Sequence, residues 1–286
     1  MQIFTTRKGL RDYLNSLENK HLSLGFVPTM GALHPGHISL LESAKKHCDL
    51  SICSIFVNPG QFNDPDDLKR YPRMPEKDGE LLTKHGCDVL FMPEVEEIYP
   101  EKPNESYDFG HLDKVLEGAH RPGHFNGVAQ VLSRFFNILR PDRAFFGEKD
   151  YQQMLIVKAL VKQLDVKVEI VPCPIVREPD GLAMSSRNAL LSQKERELAA
   201  NIPIWMNWAA KQLTGATIEE VKHSLQEAIQ QHPELRLDYF EVCDAETLKP
   251  FSGHLNAKPA IALIALFCGK IRLIDNIRLN SYNLKV

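Results

Sequence analysis

The sequence has no Cys-x-x-Cys pair, no basic excess and no apolar run of membrane length, and it lacks both the Gly-x-Gly-x-x-Gly and the Gly-x4-Gly-Lys-Ser/Thr fingerprints. Each absence removes a class of function. Six cysteines scattered through 286 residues read as free buried thiols in a reducing compartment, not as a disulfide framework or a zinc site. A formal net charge of -3 leaves no electrostatic footprint for a nucleic-acid partner. The longest apolar run, 260–268, is about half of the ~20 residues a membrane helix needs. The first residues, Met1-Gln2-Ile3-Phe4-Thr5-Thr6-Arg7-Lys8-Gly9, lack a signal-peptide stretch. A cytoplasmic protein with no membrane contact is expected, and a standard dinucleotide fold or P-loop is not.

What is present is an ordinary globular balance, 43% hydrophobic and 25% charged, enough for one large or two ordinary domains with buried cores. Strand-like runs at 22–27, 52–57, 89–92, 144–146 and 168–171 alternate with helical stretches at 37–47, 75–85, 127–139 and 150–164. In the 127–139 stretch, Val128, Val131, Leu132, Phe135 and Phe136 share one apolar face. Asp150 is placed to cap the stretch that follows it. This rhythm predicts an α/β fold, a Rossmann-like, doubly wound parallel sheet with helices on both faces. After the turn signal Glu178-Pro179-Asp180-Gly181 the rhythm changes. Helical stretches at 192–213 and 217–231 precede strand-like runs at 237–243, 260–267 and 271–273, with Cys268-Gly269-Lys270 as a hairpin. The expected organisation is a larger domain, 1–177, and a smaller α+β domain, 178–286.

An open parallel sheet binds its ligands outside the carboxyl ends of its strands, and there the sequence concentrates glycine, proline and polar groups. Pro28-Thr29-Met30-Gly31-Ala32-Leu33-His34-Pro35-Gly36-His37 follows the first strand and Asn58-Pro59-Gly60-Gln61-Phe62 the second. Gly147-Glu148-Lys149-Asp150 follows the fourth and residues 172–177 the fifth. Gly31 and Gly36 let backbone approach a ligand. A helix opening at Gly36 or His37 is expected to offer unpaired N–H groups and partial positive charge, which suit a phosphate. His34 and His37 share that first turn. A His-x-x-His pair also suits a metal, though no third ligand lies nearby at metal-site spacing, and plain surface histidines are a further alternative. A second cluster, Ala183-Met184-Ser185-Ser186-Arg187, puts two hydroxyls beside a guanidinium able to bind oxygens bidentately. Alone it would also serve as a plain helix start. Together the two clusters point to a polyphosphate.

The combination resembles the nucleotidyltransferase superfamily, with its HIGH and KMSKS elements, here His34-Pro35-Gly36-His37 and Met184-Ser185-Ser186-Arg187. Within it the chain closely resembles the pantoate–β-alanine ligase family. The residues that carry this likeness are residues 28–34, Phe56-Val57-Asn58-Pro59-Gly60-Gln61-Phe62, Tyr71-Pro72-Arg73, Arg121-Pro122-Gly123-His124-Phe125, Phe146-Gly147-Glu148-Lys149-Asp150-Tyr151-Gln152-Gln153 and residues 177–188. The resemblance implies two steps: pantoate carboxylate attacks the α-phosphorus of ATP, and the amine of β-alanine then displaces AMP from the acyl adenylate.

By the same resemblance ATP is held by Met30, Gly31, Ala32, Leu33, His34, Pro35, Gly36 and His37, by Gly147, Glu148, Lys149, Asp150 and Val176, and by Met184, Ser185, Ser186 and Arg187. His37 is the catalytic residue, either as proton donor or as phosphate ligand. Gln61 and Gln153 orient pantoate, and Gln61 also lies near β-alanine. Mg2+ is expected with ATP. Asp78 is a candidate ligand by position and equally an ordinary helix-surface aspartate, so the metal ligands stay unassigned. A homodimer is implied, with the smaller domain as a lid that keeps water from the acyl adenylate. Among rivals, an adenylyltransferase would leave AMP on its product, and an aminoacyl-tRNA synthetase needs more chain and more basic charge. A nucleotide sensor would have no need of His37, Lys149 and Arg187 together.

Overall fold

Apolar runs bounded by turn residues become strands buried on both faces, and the amphipathic stretches between them become the covering helices. The computed structural model describes residues 1–17, 20–63, 65–255 and 259–279. They pack as two compact units, Met1–Glu148 with Gln152–Pro174, and Lys149–Tyr151 with Ile175–Val286.

The first unit opens with β1 (Gln2–Phe4), α1 (Arg7–Leu17), β2 (Leu24–Thr29), α2 (Pro35–His47) and β3 (Leu50–Ile55). A 3-10 turn at Pro59–Gln61, α3 (Pro65–Arg70), α4 (Pro75–Lys84) and β4 (Val89–Phe91) follow. The proline- and glycine-rich stretch carries two one-turn helices, α5 (Val95–Ile98) and α6 (Glu117–His120), before α7 (His124–Leu139), β5 (Arg143–Gly147), α8 (Tyr151–Leu164) and β6 (Glu169–Cys173). These strands form one parallel sheet in the order β1-β4-β3-β2-β5-β6, the Rossmann-like class expected. The chain builds outward from β2 in one direction and from β5 in the other. The β2/β5 boundary is therefore the topological switch point, and a ligand crevice belongs at the carboxyl ends of these two strands. The segments that leave it are residues 30–37 and Glu148.

Alternate strand residues feed opposite cores. On one face the buried ring of Phe135 on α7 meets Phe26 at 5.4 Å, Phe56 at 6.0 Å and Phe91 at 6.1 Å between centroids. On the other, Leu40, Leu41 and Ala44 of α2 pack with Val27, Cys53, Leu90 and Phe145. Strand β1 has no counterpart in the sequence reading, because three residues are too few to show a period.

In the second unit α9 (Gln193–Ala199), α10 (Asn201–Gln212) and α11 (Ile218–Gln230) pack on an antiparallel sheet of β7 (Leu235–Asp244), β8 (Ala260–Cys268) and β9 (Ile271–Leu279), with β8 central. Its core joins Phe240, Val242, Ile264 and Leu266 to Ile202, Met206 and Leu225. The single helix expected over 192–213 is instead broken at Ala200, where Pro203 has no N–H to give the Ala199 carbonyl. Strand β9 runs well past its expected end at 273, to Leu279. Among the described residues no helix is long and apolar enough to cross a membrane.

Candidate active site

The segment after β2 is held in an uncommon conformation. Gly31 and Ala32 both take left-handed φ, +82° and +49°, which turns the N–H groups of Ala32 and Leu33 the same way. Asp78 of α4 receives both, Oδ2 from Ala32 and Oδ1 from Leu33, each at 2.8 Å. A Cβ on Gly31 would sit 3.0 Å from that Oδ2, a tight approach at a φ that already favours glycine. Asp78 is only 1% exposed. It is not a surface aspartate, and each of its oxygens accepts a backbone N–H. Among the described residues no group of three or more His, Cys, Asp or Glu could hold a metal ion.

His34 is the N-cap of α2, and Pro35 takes the first helical position, where a missing N–H does no harm. The His34 ring accepts from the Gly36 N–H through Nδ1 (3.1 Å), and His37 Nδ1 accepts from the His34 N–H (3.3 Å). The N–H groups of His37 and Ile38 both donate to the His34 carbonyl, at 2.8 and 3.2 Å. The unpaired helix-start N–H groups expected from the sequence are thus already used. What the turn offers an anion is the helix dipole and the two imidazole rings, tilted 44° to each other with centroids 4.0 Å apart. With Nδ1 accepting in each, a neutral ring carries its proton on Nε2.

Gln61 sits in the turn after β3, which α7 approaches closely. The Gln61 backbone carbonyl accepts from His124 Nδ1 (2.8 Å) and Arg121 Nη2 (3.4 Å). Its side chain is set by Asn58, whose Nδ2 donates to Gln61 Oε1 (3.2 Å), leaving Gln61 Nε2 directed at Met30 Sδ (3.0 Å). Asn58 is 1% exposed and also binds the Gly127 carbonyl, the Gly60 N–H and the Tyr99 hydroxyl. Burial pushes the Tyr99 phenol far above its usual range, so it stays a donor. Sequence reading gave Asn58 no task; its position three before Gln61 was the available signal.

Of the adjacent glutamines on α8, Gln152 is structural. It is 2% exposed, donates to the carbonyls of Leu112 and Val115, and accepts from the Glu117 N–H. Gln153 is half-buried, and its side chain hydrogen-bonds no other described residue.

Gly147 and Glu148 close the first stretch of the first unit, and the second unit holds Lys149, Asp150, Val176 and residues 184–187. Lys149 and Asp150 lie in a 3-10 turn, Glu148–Asp150, leading into α8, with Lys149 Nζ 3.8 Å from Asp150 Oδ1. Asp150 is the last residue of that turn and immediately precedes α8. Val176 opens a narrow hairpin in which its carbonyl accepts from the Met184 N–H (3.0 Å) and Arg177 bridges Ala183. The strand-like exit leads to Ser185, whose Oγ accepts from the Arg187 N–H (3.2 Å) and caps the 3-10 turn Ser186–Leu190.

The family model described as pantoate-beta-alanine ligase matches residues 2–278. Pantothenate synthetases of Porphyromonas gingivalis and Bacteroides thetaiotaomicron are 45% and 46% identical, each match covering 97% of this chain and 99% of the relative. The Thermus thermophilus pantothenate synthetase structure superposes with a TM-score of 0.90 at 42% identity, over 98% of this chain and all of that one. A Francisella tularensis pantoate-beta-alanine ligase, solved with beta-gamma ATP and beta-alanine, gives 0.83 at 36% identity, over 98% of each chain.

The chain belongs to the pantoate–β-alanine ligase family.

Its reaction is accordingly the ATP-dependent joining of pantoate to β-alanine, and ligase chemistry needs no nucleophilic thiol. The six cysteines are free, five of them buried. Burial pushes Cys87 and Cys268 up to about 11 and Cys243 up to about 12, so these three remain protonated and inert at neutral pH.

The approach of α7 to the Gln61 turn yields a first prediction for this ligase. A Cβ on Gly127 would fall 2.1 Å from the Gly60 carbonyl oxygen. Overpacking of this kind costs about 1–3 kcal/mol, more than the ~1 kcal/mol that Gly→Ala adds to a helix. Gly127→Ala is expected to lower Tm by about 2–4 °C per kcal/mol lost and to raise KM for pantoate. Unchanged melting and pantoate kinetics would show that the two backbones separate freely.

Proposed function

We propose that the described residues carry out the ligase reaction through a pantoyl adenylate, with the work divided between the units. The problem of the first step is charge: an anionic carboxylate must approach a polyanion, so catalysis is positioning and neutralisation. His37 donates from Nε2 to a phosphate oxygen, with His34 beside it. Residues 30–36, Gly147 and Glu148 shape the surround of the nucleotide. Gln61 and Gln153 orient pantoate, since an amide can donate to a carboxylate and accept from hydroxyls, and Gln61 also serves β-alanine. From the second unit Lys149 adds a point charge, Ser185, Ser186 and Arg187 hold the departing pyrophosphate, and Asp150, Val176 and Met184 contact the nucleoside. Magnesium arrives on the phosphates of ATP, and no step is assigned to it. A cytoplasmic homodimer completes the reading, supported by the family likeness.

The observation that carries this reading is the His34–His37 turn at the switch point, where reciprocal capping fixes both rings with Nδ1 used inward. The oxygen of pantoate that bonds to the α-phosphorus stays with phosphorus when the amine attacks the acyl carbon. With pantoate labelled by 18O in its carboxylate, AMP should carry one labelled oxygen and pyrophosphate none. Label in pyrophosphate or inorganic phosphate would mean attack at another phosphorus and overturn the adenylate.

A further inference from the structure

The two cation-bearing segments of the second unit converge on neighbouring residues of its C-terminal strand. Strand β9 reads Ile-Arg-Leu-Ile-Asp-Asn-Ile-Arg-Leu, and Asp275 shares its strand face with Leu273 and Leu279, which lie in the apolar core. Asp275 is 3% exposed. A carboxylate buried there is tolerated only if paired, and its partner is Arg177, which donates through Nη1 to Oδ2 (2.7 Å) and through Nη2 to Oδ1 (3.0 Å). The same guanidinium donates to the Gly181 carbonyl at 2.9 Å. It therefore ties the first arm and the turn of the hairpin that delivers Met184 to Arg187 to β9, and the turn at Ser186–Leu190 packs on β9 as well.

Asn276, 5% exposed, leaves the opposite face. Its Nδ2 donates to the backbone carbonyl of Lys149 at 3.0 Å, 127 positions away in sequence. Two consecutive buried polar side chains on an edge strand are poorer for stability than an apolar pair at the same places. Packing alone does not account for them. Their partners do: one side chain fixes the Arg187 segment and the next fixes Lys149.

We propose that Asp275 and Asn276 are positioning residues for adenylation, setting the distance between the Lys149 charge and the Ser185–Arg187 grip. The proposal rests on the phosphate-binding reading of Lys149 and Arg187. It concerns the step that handles a triphosphate, and not the step in which β-alanine takes the acyl group.

Two half-reactions separate these steps. The first is exchange of labelled pyrophosphate into ATP with pantoate present. The second is amide formation from chemically prepared pantoyl adenylate and β-alanine. Asn276→Ala is expected to cut exchange roughly 10–100-fold, the scale of a displacement of about 1 Å in a reacting geometry, while amide formation changes by less than about threefold. In a Lys149→Ala background the same substitution should have little further effect, because its action passes through Lys149. Asp275→Asn, which keeps shape but loses the charge pair, should behave alike; if it fails to fold, Asn276→Ala and Arg177→Lys carry the test. Equal losses in both half-reactions, or full additivity with Lys149→Ala, would mean a structural role only and overturn the proposal. If Lys149→Ala and Arg187→Ala themselves leave exchange intact, the phosphate reading fails, and this inference with it. If they abolish exchange while Asn276→Ala does not, this inference fails alone.

Discussion

His37→Ala is expected to slow adenylation by roughly 10²–10³-fold, the usual effect of removing one preorganised donor to developing charge. The ring does two things, and they can be separated. Its Nδ1 accepts from the His34 N–H, closing the capping box that starts α2. Its Nε2 is the atom proposed to donate to phosphate. His37→Asn retains an acceptor at the Nδ1 position and has nothing at Nε2, so it should keep stability and lose rate. His37→Gln puts an amide donor near Nε2 and forfeits the inward acceptor; it should recover part of the rate and melt earlier, in line with the ~0.5–2 kcal/mol value of an N-terminal cap. Single-turnover measurement of adenylate with thermal melts of the three variants gives both numbers. A folded His37→Ala enzyme turning over near the normal rate would remove His37 from the chemistry.

What could be read from the sequence follows from how locally it is encoded. The alternation of apolar runs with amphipathic stretches, as in the α7 face of Val128, Val131, Leu132, Phe135 and Phe136, is a short-range pattern, and it gave the fold class. The two histidines were visible because they share one turn. The N–H groups expected to be unpaired at the helix start are capped instead, because reciprocal capping by His34 and His37 is a side-chain geometry that spacing does not reveal. Asp78 looked like any acidic residue in the first turn of a helix; its partners lie 45 and 46 positions away, and only the packed sheet brings them together. The end of β9 is hidden in the sequence for a related reason. Asp-Asn inside a strand reads as a break until Arg177 and Lys149, from distant segments, supply the partners. The break at Ala200, by contrast, is legible in Pro203, which has no N–H for the Ala199 carbonyl.

Asp78→Ala is the substitution outside the proposed substrate contacts with the largest expected effect. The residue touches no proposed substrate group; it acts through the loop that carries His34. Its loss removes the acceptor of two buried N–H groups at once, and each such loss costs about 1–3 kcal/mol. It also releases Ala32 from a left-handed conformation that costs a non-glycine residue about 1–2 kcal/mol to hold, so the loop gains a reason to relax elsewhere. Both effects push the same way: the stem of the turn opens and the N-cap of α2 shifts. A fall in Tm of about 2–4 °C per kcal/mol should accompany a KM for ATP raised well above normal. Asp78→Asn tests the mechanism more sharply. It keeps the volume but replaces one of the two acceptors by an NH2 that must face an N–H, so it should recover little of either loss. If Asp78→Asn behaved as wild type in melting and in ATP dependence, the carboxylate would not be what holds the loop. Asp78→Glu offers both acceptors on a longer stem, and a partial rescue of Tm without rescue of KM would tie the ATP defect to the exact placement of residues 31–34 and not to stability.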